Sequence, residues 1–317
     1  MTAKFVRRLL LALIAATSSP TLTLPHAFAN TESAAPAIND SRRIYWVDPR
    51  RNFSSSASPA LSQIAEYPNR PLNKLREPGV LGAGDEYTFR RGADPLDPKR
   101  AAFMHRIKPV YPTWSRGNTW RSEVSAPGQN DGHNVVRGQE YWMAYAFKPE
   151  PDMMGRGPVV SILDVHAADG SRNMGPSPIS VLLGGGSITL IRSWNPDFNG
   201  SNRRSRSYDL PVDAQRWNYL IFNFKVHWDE SQGPFLKVWV ASGDGRPARV
   251  IDVQGPLGYN ETPPQTAQKF GLYRWEPWDG DAHQSRTMYT KGLYLFKAGP
   301  GQPALDEHSM LALLRAI

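Results

Sequence analysis

The chain has 317 residues, 37 Lys and Arg against 29 Asp and Glu, 40% hydrophobic residues and no cysteine. That much apolar material excludes wholesale disorder, and the missing cysteines exclude disulfide frameworks, thiolate zinc sites, iron–sulfur clusters and cysteine nucleophiles. A formal net charge of +8 and a sequence pI of about 9.7 point to an anionic partner.

At the N-terminus, Lys4, Arg7 and Arg8 precede an apolar run from Leu9 to Ala16, and a polar stretch then leads to Ala27-Phe28-Ala29, an A-x-A cleavage pattern. Residues 1–29 are therefore expected to be a signal peptide cut before Asn30, making the protein periplasmic or secreted. The apolar run falls well short of the ~20 residues a spanning helix needs, and no later run approaches it, so no membrane span is expected. Losing Lys4, Arg7 and Arg8 takes three charges from +8 and leaves +5 on the mature chain. An exported chain seldom meets nucleic acid, which leaves acidic polysaccharide as the leading anion.

Residues 30–78 are rich in Ser, Ala, Pro, Asn and Arg, with Ser54-Ser55-Ser56 and repeated prolines, and read as a flexible N-terminal arm. From 79 to 300 the texture changes to short β-branched and aromatic runs separated by Gly, Pro, Asn and Asp, the pattern of an all-β sandwich. Strands are expected at Tyr87–Arg90, Glu140–Lys148, Val159–His166, Ile179–Leu183, Ser187–Trp194, Tyr219–Trp228, Phe235–Ala241, Gln268–Trp275 and Met288–Lys297. In Tyr219–Trp228, Leu220, Phe222, Phe224, Val226 and Trp228 share one face, while Tyr219, Ile221, Asn223, Lys225 and His227 share the other; the first is read as core and the second as mostly polar. Residues 301–317 are expected to end the chain in a short helix, with Leu305, Met310, Leu311 and Leu314 as its apolar stripe. No internal repeat or second domain is visible, and a monomer is expected.

Several catalytic signatures are absent from the sequence: no G-x-S-x-G elbow, no H-E-x-x-H, no phosphate loop, and no clustered E-x-D-x-x-E that would set two glycosidase carboxylates on one strand face. Three stretches stand out instead. Arg121-Ser122-Glu123-Val124-Ser125 puts Arg121, Glu123 and Ser125 on one side of an extended strand. Val160-Ser161-Ile162-Leu163-Asp164-Val165-His166 ends with Asp164 and His166 on a shared face. Lys269-Phe270-Gly271-Leu272-Tyr273-Arg274-Trp275 aligns Lys269, Gly271 and Tyr273 in the same way.

In order and approximate spacing these stretches resemble the R-x-E-L-R, Q-I-H and Y-F-K-A-G-x-Y motifs of jelly-roll polysaccharide lyases, the group of alginate, glucuronan and heparin lyases, with the best match to the heparin lyase I-like family. The resemblance spans roughly residues 79 to 298. It implies a concanavalin A-like β-jelly-roll with a concave substrate groove and β-elimination of a uronic-acid-containing chain such as alginate, glucuronan or a heparin-like glycan. It further implies that Arg121 neutralises the uronate carboxylate, that Tyr273 and His166 divide the base and acid steps, that Lys269 binds substrate, and that Gly271 lets the sugar approach the backbone. No cofactor is required by this chemistry, and no metal ligand set is assigned, although a structural calcium ion held by oxygen ligands suits such sandwiches. Two positions depart from the motifs. Asp164 stands where Gln is expected, as a substrate contact, a partner orienting His166, or a metal ligand. Ser125 stands where a second Arg is expected.

Trp275 and Trp194 are the candidates for stacking on sugar rings, because they share strand parity with Tyr273 and Arg192. Arg192 and Asn223 are taken as further substrate contacts. The segment Asn195–Asp209, with Arg203, Arg204 and Arg206, reads as a solvated loop or as a mobile lid that captures polyanion. The rival readings are a non-catalytic acidic-glycan-binding protein and a hydrolase with another carboxylate arrangement. Arg121 and Glu123 would then form an in-face ion pair, and His166 would be a structural histidine.

Overall fold

The computed structural model describes residues 42–50, 89–107, 120–125, 135–154, 159–167, 177–198, 202–260, 265–274, 285–299 and 304–317. In chain order its strands are β1 (Arg43–Val47), β2 (Phe89–Ala93), β3 (Ala101–Ile107), β4 (Trp120–Ser125), β5 (Val135–Val136), β6 (Glu140–Pro149), β7 (Val160–Ala167) and β8 (Ile179–Gly184). They continue with β9 (Ser187–Asn195), β10 (Arg204–Leu210), β11 (Asn218–Lys225), β12 (Phe235–Ser242), β13 (Ala248–Gln254), β14 (Gly258–Tyr259), β15 (Gln265–Arg274) and β16 (Arg286–Lys297), followed by helix α1 (Glu307–Arg315). The expected strands all appear, with ends displaced by a few residues. The predicted signal peptide and most of the predicted arm lie outside the described residues.

Two eight-stranded sheets form. The first runs β13-β12-β11-β6-β16-β3-β2, with β1 also paired to β16; the second runs β10-β9-β8-β7-β15-β4, with β14 on β9 and β5 on β15. Tyr145, Phe147, Leu220, Phe222, Leu293 and Leu295 from the first sheet meet Val165, Val181, Leu190, Phe270 and Leu272 from the second in one core. Alternation along each strand sends every other side chain into this layer. One piece of the expected arm belongs to the first sheet: Arg43–Val47 pairs with Leu293–Phe296, and Val47 is buried.

The outer face of the first sheet is also covered. Trp142, Ala144, Tyr219, Ile221, Trp239, Tyr294 and Phe296 pack with Met310, Leu311 and Leu314 of α1 in a second cluster. Asp306 caps this helix through a reciprocal pair with Ser309. The polar face expected for Tyr219–Trp228 is thus largely interior, because the C-terminal helix lies over it and Trp142, Trp217 and Trp239 pack beside it in the same cluster. Asn223 sits there at 4% exposure, donating to Glu140 Oε1 at 2.8 Å and to the Tyr141 carbonyl. Its expected place in a substrate groove is corrected by this packing: it faces away from the second sheet.

Lys291 and Asp94 form an ion pair at 3.0 Å in the same cover, with side-chain exposures of 4% and 1%. The Trp217 indole N–H donates to the same carboxylate, and the Lys291 ammonium lies over the indole ring. A buried pair is tolerated where hydrogen bonds occupy remaining capacity, as the Trp217 indole and the Leu96 amide do for the Asp94 carboxylate.

Candidate active site

The second sheet brings the sequence motifs together through its register. On β4 and β15, Tyr273 is the partner of Arg121, Gly271 of Glu123 and Lys269 of Ser125. On the other side of β15, Tyr273 is the partner of Ser161, Lys269 of Asp164 and Ala267 of His166. Val165, Phe270 and Leu272 point into the core, so Asp164, His166, Lys269 and Tyr273 stand on the sheet's outward face. Lys269, Tyr273 and His166 are half-buried there. The parity expected for Lys269 and Tyr273, and for Asp164 and His166, holds.

The face is a strip, however, and not a single point. Ser161, opposite Tyr273, and His166 are five residues apart on β7, which is about 16 Å along a strand. Proton transfer needs donor and acceptor within roughly 3 Å of the reacting atom. Tyr273 and His166 thus stand on the same face, with His166 nearer Lys269 and Asp164 in the register. The register that separates them carries an irregularity on each side of β7, between Ser161 and Leu163 toward β8 and between Phe270 and Tyr273 toward β15.

Asp164 occupies the middle of the strip at 6% exposure. It accepts the Ser161 hydroxyl at 2.5 Å and the Ser180 hydroxyl at 2.6 Å, and its register partner is the cation Lys269. The carboxylate that looked out of place in the Q-I-H motif is committed to local donors. It holds Ser161, the residue across from Tyr273, in position. Sequence reasoning missed Ser161 and Ser180; the bulge that brings Ser161 onto the face of Asp164, three residues away, leaves no periodic signal.

Gly271 has a reason other than sugar approach. Its φ is +130°, and a Cβ there would lie 2.2 Å from the Ser122 carbonyl and 2.8 Å from His105 Nδ1. The space it spares belongs to β4 and to a buried histidine beneath the strip. His105 on β3 is fully buried, donates from Nδ1 to the Ser122 carbonyl at 2.7 Å and accepts at Nε2 from Thr290 Oγ1 at 3.1 Å. The roles follow from the carbonyl, which can only accept. His105 thus ties the first sheet to β4 next to Arg121, a link that the sequence concealed inside an ordinary apolar strand.

Burial holds the His105 imidazole down to about 4, against the opposing effect of the Ser122 carbonyl. Above the unfolded value of about 6.5 both states are neutral and the group contributes nothing to pH dependence. As pH falls through 6.5 the unfolded chain takes up a proton that the folded one refuses, so stability is lost down to about pH 4, by up to about 3 kcal/mol. Urea midpoints at pH 7 and pH 4.5 should fall less in His105→Gln than in the parent; an equal fall in both would refute this assignment.

Arg192 and Trp194 lie elsewhere. Arg192 is the register partner of Ile179, which pairs with Val165, and both of these are core. Arg192 and Trp194 therefore belong to the opposite side of the second sheet from Lys269 and Tyr273. This corrects their expected place in the groove: parity within β9 was right, but the ladder to β7 assigns it to the other face. The expected loop from Asn195 to Asp209 is corrected too, since Arg204–Leu210 is an edge strand paired residue for residue with β9. Arg203, Arg204 and Arg206 are exposed, the last two on that strand. Trp275 lies outside the described residues. Among the described residues no group of three or more His, Asp and Glu gathers as a metal site, and no helix is long and apolar enough to cross a membrane.

A family model described as polysaccharide lyase matches residues 91–293. No curated protein matches the chain. Among solved structures, the endo-β-1,4-glucuronan lyase from the fungus Trichoderma reesei is similar with a TM-score of 0.51 at 17% identity, covering 67% of this chain and 87% of that one. Alginate lyase A1-II′, a member of polysaccharide lyase family-7, gives 0.42 at 11% identity over 67% of this chain and 84% of its own. The binding domain of botulinum neurotoxin serotype C1 gives 0.43 at 14% identity over 72% and 46%. The likeness to the glucuronan lyase shows a shared jelly-roll fold.

Proposed function

The chain belongs to the polysaccharide lyase family, and we propose that its substrate is an acidic, uronic-acid-containing polysaccharide, cleaved by β-elimination after export through the N-terminal signal peptide. The order of the three motifs favours the heparin lyase I-like branch. The observation that carries the reading is the register of β4, β15 and β7, which sets Tyr273 between Arg121 and Ser161 with Lys269 further along the same face.

The chemistry follows from the weakness of the carbon acid. A proton α to a carboxylate leaves only when the charge spreading onto that carboxylate is met by a fixed cation or donor, and Arg121 supplies it. Tyr273 takes the C5 proton as the C4–O bond breaks and the C4=C5 bond forms, then returns a proton to the leaving oxygen. One phenol serves both steps when hydrogen and leaving group lie on the same side of the ring, and Tyr273 is the phenol that the register sets beside Arg121. Lys269 and His166 bind neighbouring sugar units along the strip.

Incubation with alginate, glucuronan and heparin, followed by ultraviolet absorbance of the conjugated double bond, tests the reading. A rise with at least one of them is expected. New reducing ends without that absorbance would identify hydrolysis, and folded protein inert toward all of them would refute the substrate class.

A further inference from the structure

The geometry points to a second binding surface for anionic glycan at the exposed edge of the second sheet formed by β10 and the end of β9, away from the Tyr273 strip. Across this sheet one register row reads Arg206, Arg192, Ile179, Val165, Gln268. The next row of the same parity pairs Arg204 with Trp194. Arg204 and Arg206, two residues apart on an edge strand, project to one side about 6.8 Å from each other. Both are exposed, as is the neighbouring Arg203.

The charge is unbalanced. Arg206 stands directly across from Arg192, an arrangement that destabilises a ladder unless an anion offsets it. Among the described residues no carboxylate pairs with Arg192, Arg203, Arg204 or Arg206. The nearest acids in sequence are engaged otherwise: Asp197 accepts from Asn202 at 2.5 Å, and Asp209 is on the other face with Thr189 at 3.4 Å.

The surface also holds an aromatic platform. Arg192, 6% exposed, donates from Nε and Nη2 to the Pro256 carbonyl at 3.0 and 2.8 Å and sets its guanidinium 4.9 Å from the Trp194 ring centroid. That fixes the indole from one side while leaving it half-buried beside Arg204. Phe198, 46% exposed, follows on the chain leaving β9. Aromatic rings that take the apolar face of a sugar, beside arginines that fork onto carboxylate or sulfate, fit an acidic glycan. A duplex nucleic acid would use the cations but has no need of the ring.

Such a surface would hold a long chain at a second point and raise its effective concentration at the strip. The inference rests on the acidic substrate class proposed above and not on the roles given to Tyr273 and Arg121. Its test is mobility in native gels containing a polyuronate, a neutral polysaccharide or a DNA duplex, for the parent, Arg204→Ala/Arg206→Ala, Trp194→Phe, Trp194→Ala and, as a surface control, Arg246→Ala.

The parent should be retarded by the polyuronate alone. The double variant should lose affinity at least about tenfold, the scale of one charge-assisted contact. Trp194→Ala should weaken retardation and Trp194→Phe restore most of it, while Arg246→Ala should match the parent. A double variant retarded like the parent overturns the proposal, and so does equal retardation by DNA. Because gel mobility reads binding and not turnover, a failure of this surface is distinguishable from a failure of the elimination mechanism.

Discussion

Tyr273→Phe should cost activity on the order of 10³- to 10⁴-fold, the upper range for removal of a general acid–base group. The magnitude follows from the register. On β7 Ser161 is directly across from Tyr273 and His166 lies five positions on, so the phenol is the proton-transfer group that the register sets beside Arg121. The loss should fall on kcat, since the phenyl ring keeps the shape of the face while losing the atom that moves the proton. Circular dichroism and the urea midpoint should match the parent, because the Tyr273 side chain is half-buried on the outward face and takes no part in the core. His166→Ala makes the contrast: KM for long chains should rise with kcat little changed. A kcat collapse in His166→Ala, with Tyr273→Phe mild, would reverse the assignment and place the chemistry at the other end of the strip.

Gly271→Ala should destabilise the protein by roughly 4 kcal/mol and remove activity with it. Alanine at a φ of +130° carries backbone strain, and its methyl would sit 2.2 Å from the Ser122 carbonyl; strain and overpacking together give this scale. Relief requires β4 to move away from β15, which breaks the hydrogen bond between His105 and Ser122 and shifts Arg121 relative to Tyr273. A urea midpoint equal to the parent's would refute the account. Retained stability with lost binding would instead favour a glycine kept for the sugar.

Local alternation served well where a strand's two faces differ chemically. Lys269 with Tyr273, and Asp164 with His166, were legible as pairs because parity is a property of one segment. The three motifs also pointed to polysaccharide lyases, the family whose model matches residues 91–293. Asn223 misled because its strand alternates apolar with mixed residues, and the cover supplied by α1 lies far away in the chain. The arginines after Asn202 misled for a related reason: a strand rich in Ser and Arg has weak intrinsic β preference, and β10 exists because β9 offers it a ladder.

By itself, then, the sequence determined an all-β chain, its strand set, the residue chemistry of a lyase and the parity of each motif. The tertiary structure decided which face each parity meant and how far apart the motifs stand. Both depend on register between strands distant in sequence, and a single bulge shifts that register without leaving any mark in composition or period. That is why Tyr273 is the register partner of Arg121 and Ser161 while His166 is that of Ala267, and why Arg192 and Trp194 belong to the other side of the sheet from the strip.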